Sequence, residues 1–335
     1  MIFLLLYDVL MYVRNFTAFL PSIIIMQYAL TILETSFKLK EIYIKEGEKK
    51  MTVKIIADSA CDLSTTHYNE YDIEMIPLTV HLDDKEYRDA IDVQPKTIYD
   101  AMKNGAMTKT SQVSMQTFKS IFTSYAEEKQ TFVYLAFSSE LSGTYQTAKM
   151  MEQEVKEEFP DADFQVIDTK CASIGYGLVV LHAAKMAKNG ASLEEIAASG
   201  ANHAKNMEHV FTVDDLEYLK RGGRVSKTQA FVGSLLKIKP LLHVEDGKLI
   251  PLEKIRGSKK VLSRMVELME ERGTDFKNQT IGISHADDLP RAEQLAEMIR
   301  EKFGADDVLI EMVGSVIGAH VGPGTLSLFF LNNTD

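Results

Sequence analysis

Cysteine is scarce in this chain: Cys61 and Cys171 are the only two, in no CxxC spacing. Two cysteines cannot build a disulfide framework, so a reducing cytoplasm is the simplest setting. The eight histidines are scattered, with no HxH or HxxxH pair, which leaves metal catalysis without its usual ligand spacing. No GxxxxGK[ST] loop occurs, nor any GxGxxG after a strand, so the phosphate-cradling turns of nucleotide sites are missing. No GxSxG elbow marks a hydrolase serine. Basic charge is in deficit overall. A net charge of −11 argues against general affinity for nucleic acid or anionic membrane.

What is present suits a globular protein with room for two domains: 335 residues, 45% apolar and 25% charged. One segment reverses the global charge. Lys220 to Lys260 holds eleven Lys or Arg against three acids, Glu245, Asp246 and Glu253. Such a run is either a solvated face or a docking surface for something anionic.

Residues 1 to about 44 differ from the rest. Two apolar runs flank Arg14 and Asn15, and the second, Phe16 to Leu33, has about the length of a membrane span. No basic region precedes it and no small-residue cleavage site follows, so it fails as a secretory signal. A membrane anchor is one reading. The other comes from KEGEKKM, Lys45 to Met51, which AAA GAA GGA GAA AAA AAA ATG encodes. That stretch contains GAAGGAG, a ribosome-binding sequence, just before a start codon. Translation from Met51 would make residues 1–50 a non-native leader and leave no stable membrane insertion. A native N-terminus before Tyr43 would refute this.

From Met51 onward, short β-branched runs alternate with helical patterns. Val53–Ala57, Met75–Leu82, Thr131–Phe137, Phe164–Ile167 and His209–Val213 read as strands, as do Thr280–Ser284 and Val308–Val313. Helical spacing fills Pro95–Lys103, Met115–Glu128, Tyr145–Glu158, Gly175–Lys188 and Leu289–Phe303, and Ser192 with Glu195 forms a capping box. This alternation predicts α/β layers with largely parallel sheets. A hairpin is expected around Asp246-Gly247, and a strand over Thr325–Leu331. The division falls near residue 171, giving domains 51–171 and 172–335.

Three segments have the composition to hold a ligand. Lys109-Thr110-Ser111-Gln112 is a hydroxyl-rich turn before a helix, where free backbone N–H groups favour an anion; plain capping by Ser114 explains the same residues. Phe137 to Tyr145 follows a strand and opens a helix, the crevice position of open α/β sheets, with Ser142 as a cap or a ligand contact. Gly318 to Thr325 carries His320 among three glycines and a proline, as a structural residue or a ligand.

Taken together, VKIIADSACDL, KTSQVS, FSSELSGTYQTA, LEYLKRGGRVS, KIKPLLHVEDGKL and GAHVGPGT resemble the signature blocks of the DegV family, in order from residue 53 to about 331. The resemblance implies a two-domain α/β fold with a fatty-acid tunnel between the domains. It implies that Thr110, Ser142 and His320 hold the carboxylate. It also implies a partner, an ATP-dependent fatty acid kinase subunit that converts the bound acid to acyl phosphate for phospholipid synthesis. Arg221, Arg224 and Arg256, all in the basic stretch, would meet that partner. No metal or cofactor follows from it, only a long-chain fatty acid as ligand. The competing class is a self-sufficient phosphotransferase or acyl hydrolase, which ATP consumption without a partner would reveal.

Overall fold

A computed structural model of the chain describes residues 52–225 and 238–333. The apolar runs of residues 1–50, with the leader and anchor readings attached to them, lie outside the described residues, as do positions 226–237 of the basic stretch.

The first part of the chain runs β1 (Lys54–Asp58), α1 (Thr65–Glu70), β2 (Glu74–Ile76), β3 (Thr79–Leu82) and β4 (Lys85–Arg88). It continues through α2 (Pro95–Lys103), β5 (Thr108–Ser111), α3 (Met115–Glu127), β6 (Phe132–Ala136), α4 (Thr144–Glu158) and β7 (Phe164–Asp168). The second part begins with α5 (Ser173–Lys188), α6 (Leu193–Lys205), β8 (Met207–Thr212), α7 (Leu216–Gly222), β9 (Ile238–Glu245) and β10 (Lys248–Arg256). It ends with α8 (Ser258–Arg272), β11 (Ile281–His285), α9 (Leu289–Phe303), β12 (Val308–Met312), α10 (Ser315–Val321) and β13 (Leu326–Leu331).

The strands form three sheets. The order β2-β1-β6-β7 is parallel throughout, and β6 at its centre is buried at all five positions. Helix α3 covers it with Phe118 and Phe122, whose rings meet Phe132, Tyr134 and Phe164 at centroid distances of 5.2–6.2 Å. Such pairs add about 0.5–1.5 kcal/mol each beyond their buried area. The second sheet, β10-β9-β8-β13-β11-β12, departs from the expected parallel pattern. Only β11 and β12 run parallel in it; its other neighbours are antiparallel. Two short connections cause this. Asp246 and Gly247, at φ 49 and 81, make the two-residue turn that folds β9 back on β10. The seven-residue α10 then returns the chain as β13 between β8 and β11.

A third, antiparallel sheet, β4-β3-β5, corrects the reading of Met75–Leu82 as one strand. Pro77 has no N–H to give a ladder, and the chain leaves the parallel sheet there. Met75 pairs with Ala57 in one sheet, Val80 with Thr110 in the other.

Helix α5 is packed against β1 on one side and β8, β11 and β13 on the other. Its sequence accounts for this: from Ser173 to Leu181 every residue is buried, so no face is left for water. The opposite face of the six-stranded sheet is closed by α8 and α9 through Met265, Met269, Leu295 and Ile299, all with no exposed surface.

Candidate ligand site

Beside α5, where residues from before and after residue 172 meet, the protein has a half-open cavity of about 350 Å³. Its walls are largely apolar, with Leu78, Phe137, Phe211, Leu249, Ile317 and Phe329 among them. Thr110, Ser142, Arg224 and His320 also line it. A volume of this order suits a small-molecule ligand, and a mostly apolar wall with a few polar groups is how such sites are built.

The sequence had placed Thr110 in a turn at a helix N-terminus. It stands instead within strand β5, opposite Val80, and α3 starts only at Met115. Ser114 caps that helix, accepting from the Thr117 N–H at 3.1 Å, which frees Thr110 for other contacts. Its Oγ1 lies 2.7 Å from His320 Nε2.

The surrounding glycines suggest a loop at His320. The residue belongs to the last turn of α10, and the loop begins after it, where Gly322 adopts φ 79 and Pro323 has no N–H to continue the helix. Burial pushes its imidazole down to about 4, and the nearby Arg224 charge adds to the effect. At neutral pH the ring is therefore uncharged and carries one proton. Among the described residues Nδ1 is buried without a hydrogen-bond partner, and it faces Gly222, where a Cβ would come within 2.2 Å. Among the described residues only Nε2 has an acceptor, Thr110 Oγ1, so the network assigns the proton there. With its lone pair engaged, the Thr110 hydroxyl still has its own hydrogen to donate into the cavity.

Ser142 stands in the loop between β6 and α4, at the carboxyl end of a parallel strand. Its Oγ accepts from the Thr144 N–H at 3.2 Å and lies 2.8 Å from Thr144 Oγ1. It meets the first N–H of α4, one residue before the Gly143 N-cap, and lines the cavity at once. Gln112 reaches across to the same helix, donating to Thr147 Oγ1 at 2.6 Å. The tip of the β9–β10 hairpin docks on this loop, where Ser138 Oγ donates to the Gly247 carbonyl at 2.9 Å.

The three arginines part company. Arg221 is exposed, with its guanidinium 4.9 Å from the Tyr218 ring centre. Arg256, at the end of β10, is exposed as well. Arg224, which the resemblance groups with Arg221 against the partner, has a different pose: the left-handed Gly223, φ 68, turns the chain after α7. Arg224 then donates through Nε to the Leu141 carbonyl at 3.1 Å and through Nη1 to that of Gly222 at 2.6 Å, and it lines the cavity. No local signal marks this inward pose, because the contact partner lies 83 residues away.

Among the described residues no group of three or more His, Cys, Asp or Glu is placed to hold a metal. No helix among them is long and apolar enough to cross a membrane. Cys61 and Cys171 are buried and unpaired, and burial pushes both thiols up, so neither is a ready nucleophile.

Fold and cavity together define an α/β protein with a ligand-sized, mainly apolar chamber between its sheets. The chain belongs to the DegV family: the family model described as "Uncharacterised protein, DegV family" matches residues 52–333. A DegV domain-containing protein of Clostridium perfringens is 44% identical over 283 residues, covering 84% of this chain and 97% of that protein. The chain is also similar to a solved DegV family protein from Thermus thermophilus, described as fatty acid binding. The two share 31% identity and a TM-score of 0.74, over 83% of this chain and 99% of that one. DegV of Bacillus subtilis, described as a fatty acid binding protein, is 30% identical with a TM-score of 0.73, over 83% and 98%.

Proposed function

We propose that this protein is a carrier, not itself an enzyme, that buries a long-chain fatty acid in the cavity. Thr110, Ser142 and His320 hold its carboxylate. The observation that carries this reading is the meeting of Thr110 and His320 at 2.7 Å, at the wall of a mainly apolar chamber that Ser142 also lines. Similarity to proteins described as fatty acid binding supports it.

The energetics agree. A sixteen-carbon tail contributes roughly 11 kcal/mol gross at about 0.8 kcal/mol per methylene, before association costs. Charge-assisted hydrogen bonds to the carboxylate add about 1.5–3 kcal/mol each. The tail supplies affinity and the polar groups supply orientation.

In the same reading the carrier works in the cytoplasm and presents the acid to a separate ATP-dependent kinase, which forms acyl phosphate for phospholipid synthesis. The exposed Arg221 and Arg256 offer positive charge to that partner. Domains 51–171 and 172–335 enclose the ligand between them. Native mass spectrometry of protein purified from bacteria is the direct test: a co-purified acyl chain is expected, and an empty protein that also fails to bind added fatty acid overturns the proposal. ATP consumption by the purified protein with fatty acid and no partner would overturn the carrier role.

A further inference from the structure

The polar side chains that line the cavity are nearly all engaged within the protein. Ser111 Oγ lies 2.7 Å from His81 Nε2, and Ser173 Oγ donates to Asp62 Oδ2 at 2.5 Å. His209 is satisfied at both nitrogens, Nδ1 by the Met207 carbonyl at 3.0 Å and Nε2 by the Ala172 N–H at 3.2 Å. Ser327 is the exception. The residue is 7% exposed and lines the cavity, and its hydroxyl forms no hydrogen bond among the described residues.

Its position sets it apart from the proposed carboxylate site. Along β13, Leu326, Leu328 and Phe330 enter the core beneath α8 and α9. Ser327 and Phe329 therefore face the cavity side, as strand alternation requires. Ser327 stands opposite Ser284 and Phe211 on the six-stranded sheet, whereas Thr110 comes from β5, His320 from α10 and Ser142 from the loop before α4. Ser284 Oγ, in turn, lies 3.1 Å from Ser173 Oγ. A fully saturated tail leaves the Ser327 hydroxyl facing methylenes. A hydroxyl left unpaired against a saturated chain is costly, and a wall of alanine or valine would avoid that cost.

We propose that Ser327 is a specificity residue, and that the cavity favours an acyl chain with a hydroxyl or oxo group part-way along it. The inference rests on the carrier reading and names the class of fatty acid within it. Ser327 supplies one donor and acceptor from the sheet, and an oxygenated carbon of the chain completes its hydrogen bonding. A site that pairs with a ligand hydroxyl disfavours analogues without one.

The test is displacement of a fluorescent fatty acid from delipidated protein by palmitic acid and by positional isomers of monohydroxypalmitic acid. At least one internal isomer is expected to compete about 2- to 10-fold better than palmitic acid. In Ser327→Ala that ratio is expected to fall to one or below. The proposal is overturned if no isomer outcompetes palmitic acid in the wild type, or if the ratio survives in Ser327→Ala, which would mean that solvent satisfies the hydroxyl. Palmitic acid that binds without any such preference leaves the carrier reading standing. Failure of every acid to bind overturns both.

Discussion

Gly222 lies against the imidazole of His320, so closely that a Cβ in its place would sit 2.2 Å from Nδ1. The last residue of α7 and the last turn of α10 therefore hold the ring from behind while Thr110 engages it in front. Gly222→Ala must move either the ring or α7. Overpacking of this kind costs about 1–3 kcal/mol. We expect a lowered melting temperature and weaker retention of fatty acid, read by thermal unfolding and by displacement of a fluorescent acid. An unchanged affinity would show that the ring position is not tightly set.

Removing both hydroxyls separates head-group binding from tail binding. Thr110→Ala with Ser142→Ala should stay folded and lose several kcal/mol of affinity, at about 1.5–3 kcal/mol for each hydrogen bond to a charged group. Calorimetric titration of palmitate into the variant checks this. Unchanged binding counts decisively against the assignment.

Protonation of His320 gives a stability signature with a definite sign. Its folded value of about 4 lies below the ordinary 6.5, so the unfolded chain takes up the proton first as pH falls. Stability from keeping this ring neutral is complete above 6.5 and is lost between there and about 4. His209, also held at about 4 by burial, acts in the same direction. Asp58 opposes them: burial raises it to about 6 from 3.8, so the folded form is the better proton acceptor between those values. The prediction is therefore differential. His320→Asn should lose less melting temperature than the wild type between pH 7 and pH 5. An equal loss would place the titration elsewhere.

The arginines should divide as their poses do. Arg221→Ala and Arg256→Ala are expected to retain lipid but slow turnover by the cognate kinase, with a larger deficit at low salt, where exposed charges are least screened. Arg224→Ala should lose lipid affinity as well, because its side chain lines the cavity. Kinase turnover against carrier concentration at two salt levels, beside a lipid-binding assay, checks both. Lipid loss in all three variants would refute the docking role of Arg221 and Arg256.

Short buried strands and amphipathic helices were readable in the sequence because their signals are local. Val53–Ala57 marked β1, Ser192 and Glu195 marked the start of α6, and Asp246-Gly247 marked the β9–β10 turn. Ser142 at a strand-to-helix crevice was legible for the same reason. Local signals also misled. Apolar continuity from Met75 to Leu82 hid the change of sheet at Pro77, and the glycines around His320 hid a helical turn. The pairing of Thr110 with His320 spans 210 residues and arises only because α10 packs against β5. The inward pose of Arg224 depends likewise on a carbonyl from a distant loop. By itself the sequence determined the residue types and the local elements, since periodicity and turn chemistry act over a few residues. Only the tertiary structure decided which hydroxyls, rings and charges share the cavity, because burial and long-range packing bring together groups that no local rule relates.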